Sequence, residues 1–209
     1  IQVVFLLLEI KRMKHSSSFS VWTLKADTPM HSHPDWNSLW STPSSEPPKR
    51  QGPRLSQIFA QGTPTALSLL NQLPQRGLAV VGTRTPQVRS LQLIQKTIQD
   101  LKGQNLILLS GLARGVDSEV HRSAIRAGIP TLAFLACGLD QTYPPENEAL
   151  RQEILENDGL ILSEYPEGTE PTPFRFIQRN RLLAHWSQAC WIVEASYRSG
   201  ALNTANWAR

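Results

Sequence analysis

The chain has 209 residues, 40% hydrophobic, 7% aromatic and 18% charged, and 21 Lys and Arg against 17 Asp and Glu leave a formal charge of +4. That composition excludes a highly charged disordered tail and suits one sizeable core with an appendage. Cys137 and Cys190 form no Cys-x-x-Cys pair, which excludes a zinc ribbon or disulfide framework and fits a reducing, cytoplasmic setting.

In chain order, residues 1–54 read as a disordered or non-native leader. Ala26 to Arg54 holds six prolines in 29 residues with little periodic apolar patterning. Val3 to Leu8 is the longest apolar run, far below the ~20 residues of a membrane helix, and it lacks the flanks of a signal peptide. No membrane partner is expected. Residues 55–76 read as a short helical connector, broken at Gly62 and Pro64.

From residue 77 to 209 a rhythm appears. Continuous Val-, Ile- and Leu-rich runs recur at 78–81, 106–109, 131–136, 160–162 and 191–193, as in strands buried on both faces. Between them lie helical spacings: Leu91, Ile94, Ile98, Leu101; Val120, Ala124, Ala127; Leu150, Ile154, Leu155. Gly103, Gly128 and Gly159 follow these stretches, where a left-handed cap favours glycine. The alternation implies an α/β fold, a Rossmann-like, doubly wound, mainly parallel sheet with helices on both faces. The chain begins with Ile1 and stops at Arg209 inside a helix expected from near Gly200. A fragment is therefore expected, with a final strand missing.

The charge is uneven. The whole excess of +4 lies in residues 1–76, and residues 77–209 balance at zero, with eleven Arg against two Lys. Arg suits forked recognition of phosphate and stacking on bases. In open parallel sheets ligands bind beyond the carboxyl ends of the strands, and here those ends read Gly82-Thr83-Arg84, Ser110 through Asp117, Gly138-Leu139-Asp140, Ser163-Glu164-Tyr165 and Glu194-Ala195-Ser196. Gly111 and Gly115 flank a turn into a helix, so backbone N–H groups there would face an anion, with Arg84 and Arg114 adding charge. The densest basic stretch is Phe174-Arg175-Phe176-Ile177-Gln178-Arg179-Asn180-Arg181, which joins phosphate neutralisation to aromatic stacking as single-strand binders do. In the blander alternative the aromatics are core and the arginines pair with Glu164, Glu167 or Glu170.

Several chemistries are excluded. There is no G-x-G-x-x-G after the first strand and no P-loop, so no nicotinamide, flavin or other cofactor is expected. Ser110, Asp117 and His121 invite a triad reading, but the G-x-S-x-G elbow is missing. Asp117 then serves the helix N-terminus and His121 is packed or hydrogen-bonded.

The segments LAVVGTR (78–84), LLSGLARGVDSEVH (108–121), GLDQTYPPEN (138–147), LILSEYPEGTEP (160–171), FIQRNRLLA (176–184) and SGALNTA (199–205) together resemble the DNA-processing protein A (DprA, or Smf) family. The resemblance implies a non-catalytic domain that binds single-stranded DNA without sequence preference, forms a homodimer, and helps load RecA recombinase onto incoming strands in natural transformation. It carries Arg84, Arg114 and Arg175 over as DNA contacts, with Ser110, Gly111 and Gly115 shaping the loop. Arg179 and Arg181 match the family's RNR arginines, as contacts or as braces of the sheet end. The chain departs from the family pattern at Val88-Arg89, Ile177 and His185. The alternative is a nucleotide phosphoribohydrolase-like enzyme with Glu164 or Glu194 as acid, although Ser199-Gly200-Ala201 stands where that family has P-G-G-x-G-T.

Overall fold

A strand that is apolar at every position has to be covered on both faces, and the five apolar runs find that cover. The computed structural model describes residues 58–196 and 199–207, together with two N-terminal strands, β1 (Phe5–Met13) and β2 (Ser16–Leu24). A short strand, β3 (Phe59–Gln61), precedes the parallel strands β4 (Gly77–Val81), β5 (Ile107–Ser110), β6 (Thr131–Phe134), β7 (Leu160–Ser163) and β8 (Ala189–Ile192). Every residue of β4 to β8 is buried. The sheet runs in the order β2-β1-β8-β4-β5-β6-β7-β3, with antiparallel pairings confined to β1, β2 and β3.

The α/β sheet with helices on both faces is thus present, and the strand boundaries lie within two residues of the apolar runs at either end. Two strands fall inside the stretch that composition marks as leader; the rest of residues 1–54 lies outside the described residues. The described part of the 55–76 connector holds two short helical segments, Pro64–Leu67 and Ser68–Gln72, preceded by a strand that composition does not indicate. Gly62 and Pro64 do not break a helix there: β3 precedes them, pairing Phe59 with Ser163 on β7. Pro64 then opens the short helix α1 (Pro64–Leu67), capped by the Thr63 side chain.

Alternation along each strand sorts the core. Leu78, Val80, Leu108 and Trp191 face Ile94 and Ile98 of α2 (Val88–Asp100) and Val120 and Ala124 of α3 (Val116–Ala127). Ala133 and Ile161 meet Leu150 and Ile154 of α4 (Glu148–Glu156) on the same side. Ala79, Val81, Leu109, Phe134 and Ile192 turn the other way, onto Leu182 and Leu183 of α5 (Pro173–His185) and Ala201 and Ala205 of α6 (Gly200–Trp207). Each such Leu or Ile contributes about 1.5–3 kcal/mol through burial.

Strands β4, β5, β6 and β7 progress outward in one direction, and the chain then returns so that β8 pairs with β4. The reversal between β4 and β8 is the position where such sheets open a crevice at their carboxyl ends. Of the expected glycine caps, Gly103 and Gly128 have positive φ. At the third position Asp158 takes the left-handed conformation instead, with φ 54°. Gly159 is there for space, since a Cβ on it would lie 2.5 Å from the Thr131 carbonyl oxygen.

Candidate nucleic-acid interface

The loops that leave β4, β5 and β8 are tied together by backbone. Thr83 N–H donates to the Glu194 carbonyl at 2.7 Å, and Val116 N–H donates to the Thr83 carbonyl at 3.1 Å. The buried Glu194 carboxylate accepts the backbone N–H of Gln87, the N-cap residue before α2, at 3.0 Å. Gly115 fits this junction for two reasons: its φ is +74°, and a Cβ would come 2.6 Å from the Thr83 carbonyl oxygen. The crossing fixes the backbone that presents Arg84.

At the end of β5 the anion cradle expected at Gly111 has an internal occupant. The N–H groups of Gly111 and Ala113 donate to Asp117 Oδ2 at 3.2 and 3.4 Å. A carboxylate of the chain itself therefore closes this turn, which removes those two donors from any ligand phosphate. Burial pushes the Asp117 carboxyl above its ordinary range, against the pull of Arg179 and of the turn's own donors. Ser110 is fully buried and its hydroxyl donates to the Val80 carbonyl at 2.7 Å.

Arg179 lies beneath this turn. It is buried; its Nη1 donates to the Gly111 carbonyl at 2.6 Å and also to the Phe134 carbonyl, and its Nε to Asn180 Oδ1 at 3.1 Å. Burial lowers its pKa while Asp117 opposes the shift. Arg179, Ser110 and Gly111 are each turned inward and already committed, in keeping with Ser110 and Gly111 as shapers of the loop and Arg179 as a brace. Arg181 is also committed, in an ion pair with Glu164 in which both side chains are 13% exposed. This is the brace of the sheet end that the alternative reading named.

Three arginines remain toward solvent around a set of rings. The Arg84 guanidinium sits 5.2 Å above the centre of the Phe176 ring, and Tyr143 packs against the same ring at 5.4 Å. Arg175 lies 5.3 Å over Tyr165 and donates to the Glu170 carbonyl. Arg114 is paired with Glu146, each holding the other's charge, so that the Glu146 carboxyl is lowered and the Arg114 guanidinium raised. Phe174 is 66% exposed on the same helix. The rim thus alternates guanidinium groups and ring faces, an arrangement able to neutralise phosphates and stack unpaired bases. Tyr165 stands at the carboxyl end of β7, where the sequence already marked the crevice, whereas Tyr143 lies nine residues beyond β6 and carries no such signal.

Neither alternative chemistry is assembled. Glu164 is held by Arg181 and Glu194 by the Gln87 N–H. His121 is buried with Nδ1 2.7 Å from Thr131 Oγ1, which itself donates to the Leu108 carbonyl at 3.1 Å. The proton of that contact is therefore on Nδ1, and His121 is the hydrogen-bonded core residue expected. Among the described residues, no cluster of three or more His, Cys, Asp or Glu could hold a metal, and no helix is long and apolar enough to cross a membrane.

Residues 49–209 match the family model for DNA recombination-mediator protein A. The chain belongs to that family. It is similar to the Smf protein of Synechocystis sp., at 39% identity over 81% of this chain and 40% of the relative. It is similar as well to the DNA processing protein DprA of Streptococcus pneumoniae, at 40% identity over 61% of this chain and 44% of the relative. The chain thus spans less than half the length of these DprA and Smf relatives. Among solved structures, Streptococcus pneumoniae DprA superposes with a TM-score of 0.62 at 36% identity, over 72% of this chain and 50% of that one. The Helicobacter pylori DprA structure, which concerns that protein's single-stranded DNA binding mode, gives 0.64 at 31% identity, over 74% and 67%. The DprA resemblance of the six motifs and the Rossmann-like fold are both correct.

Proposed function

We propose that this DprA-family chain binds single-stranded DNA without sequence preference along the strand-end rim, acting by binding and without a catalytic centre. In the cell it would cover incoming strands in the cytoplasm and, as a homodimer, assist RecA loading in transformation and recombination. The observation that carries the reading is the stack of Arg84 on Phe176 beside Tyr143, directly above the junction of the β4, β5 and β8 loops. A cation and two ring faces at a topological switch point suit a ligand with both phosphates and unpaired bases. Arg114 and Arg175 extend the charge along the rim, and Gly115 shapes the loop between them.

The test is a titration of labelled oligo(dT) and of a blunt duplex of equal length over a salt series. The expected result is preference for the single strand, with the logarithm of the binding constant falling by about 0.7 per phosphate neutralised as log salt rises. Equal affinity for duplex, or a flat salt response, would sink the proposal.

A further inference from the structure

Arg114 does not reach the rim as a free cation. Its head is taken by Glu146, and the geometry holds that carboxylate in place by more than charge. The next residue, Asn147, is buried, and its Nδ2 donates to the Leu112 carbonyl at 2.9 Å and to Ser118 Oγ at 3.0 Å. Leu112 lies in the turn that carries Arg114, and Ser118 in the first turn of α3. The single helical turn Pro145–Asn147 is thereby fastened to the Arg114 loop, which holds the backbone of Glu146 beside it.

The pair itself is open to exchange. Its side chains are 64% and 47% exposed, in the range where ion pairs contribute little and are screened by salt. Beyond it the outer surface turns acidic: Glu148, Glu153, Glu156 and Asp158 are exposed, while Arg151, the only base of α4, is buried and donates to Thr142 Oγ1 at 2.9 Å.

We propose that Glu146 is a built-in competitor for the phosphate that Arg114 would bind, lowering the affinity of the rim for single-stranded DNA and marking the side on which the strand path ends. This rests on the single-strand reading above. A phosphodiester taking the Arg114 fork has to displace the carboxylate, so part of the attraction of Arg114 is offset by the loss of the pair.

Affinity for labelled oligo(dT) should be measured across a salt series for the unaltered chain, Glu146→Gln, Arg114→Gln, the double variant and Glu153→Gln. Glu146→Gln is expected to bind roughly two- to fivefold tighter, the range of a surface pair, with a salt slope steeper by up to about 0.7. The double variant should bind like Arg114→Gln alone, and Glu153→Gln like the unaltered chain. Unchanged or weaker binding by Glu146→Gln overturns the proposal, as does a gain that survives loss of Arg114 or is matched by Glu153→Gln. Those results leave the single-strand reading standing. Absence of single-strand binding by the unaltered chain overturns both.

Discussion

A side chain on Gly111 would place its Cβ 2.3 Å from Nη1 of Arg179. The glycine and the buried guanidinium occupy one another's only room, and the Gly111 carbonyl is one of the acceptors that hold Arg179 there. Gly111→Ala should therefore expel Arg179 from its carbonyls at a cost of about 3 kcal/mol. Arg179→Met, which leaves two carbonyls without donors and Asp117 without its cation, should cost about 3–5 kcal/mol. Urea unfolding checks both. In these variants, loss of DNA binding should follow the loss of folded protein; a stable Arg179→Met chain that fails to bind DNA would return Arg179 to the contact set.

Arg84 is the converse case, exposed and, among the described residues, set against a ring face. Arg84→Ala should weaken oligo(dT) binding roughly tenfold, as loss of a charge-assisted contact does, and make the salt slope shallower by about 0.7. Its thermal midpoint should stay put. Arg175→Ala should act in the same direction.

The two phenylalanines of α5 separate stacking from packing. Phe174, exposed on the outer face, should when changed to Ala weaken single-strand binding by about 1–3 kcal/mol while stability moves by no more than about 0.5 kcal/mol. Phe176 lies between Arg84, Arg179 and Tyr143, so Phe176→Ala should lower both affinity and stability. Parallel anisotropy and denaturation curves distinguish the two patterns.

His121 gives the fold an acid-sensitive term. Burial, reinforced by Arg179 and Arg122, lowers its pKa from 6.5 to about 3. Below the unfolded value the unfolded chain takes up a proton that the folded chain refuses, so this contribution is complete above about pH 7.5 and shrinks as the pH falls from 6.5 toward 3, by at most roughly 1.4 kcal/mol per pH unit. Replacing His121 with Asn removes the titrating group. Its stability deficit relative to the unaltered chain should narrow as the pH is lowered from 7.5 to 5, and a constant deficit would exclude His121 as the source.

The parallel strands were legible because burial on both faces forces uninterrupted Val, Ile and Leu, recurring between helical spacings from residue 77 onward. β3 was not, since Phe59-Ala60-Gln61 is three residues long and half turned to solvent, with no period to detect. The burial of Arg179 was half legible. It stands three residues after Phe176 and four before Leu183, on the inward stripe of α5, yet an arginine in a basic run reads first as surface. Asp117 was placed correctly at the start of α3, but that it would fill the cradle left by Gly111 depends on the path of the turn, which spacing does not encode. The full aromatic rim was not legible because Tyr143 and Tyr165 follow different strands while Phe176 lies on α5, and they come to one edge only in space.

The pairing of β8 with β4 also sets an order of events. The backbone under Arg84 is held by Glu194, 107 residues later than Gln87, the partner of its carboxylate, and β4 lacks one of its two neighbours until residues 189–192 arrive. Contacts so distant along the chain close late and slowly. On the ribosome, β4, β5, β6 and β7 can be synthesised and begin to collapse while the crevice has no floor on one side. On the proposed reading, the rim beside Arg84 is complete only after residues 189–194 have emerged and β8 has joined β4.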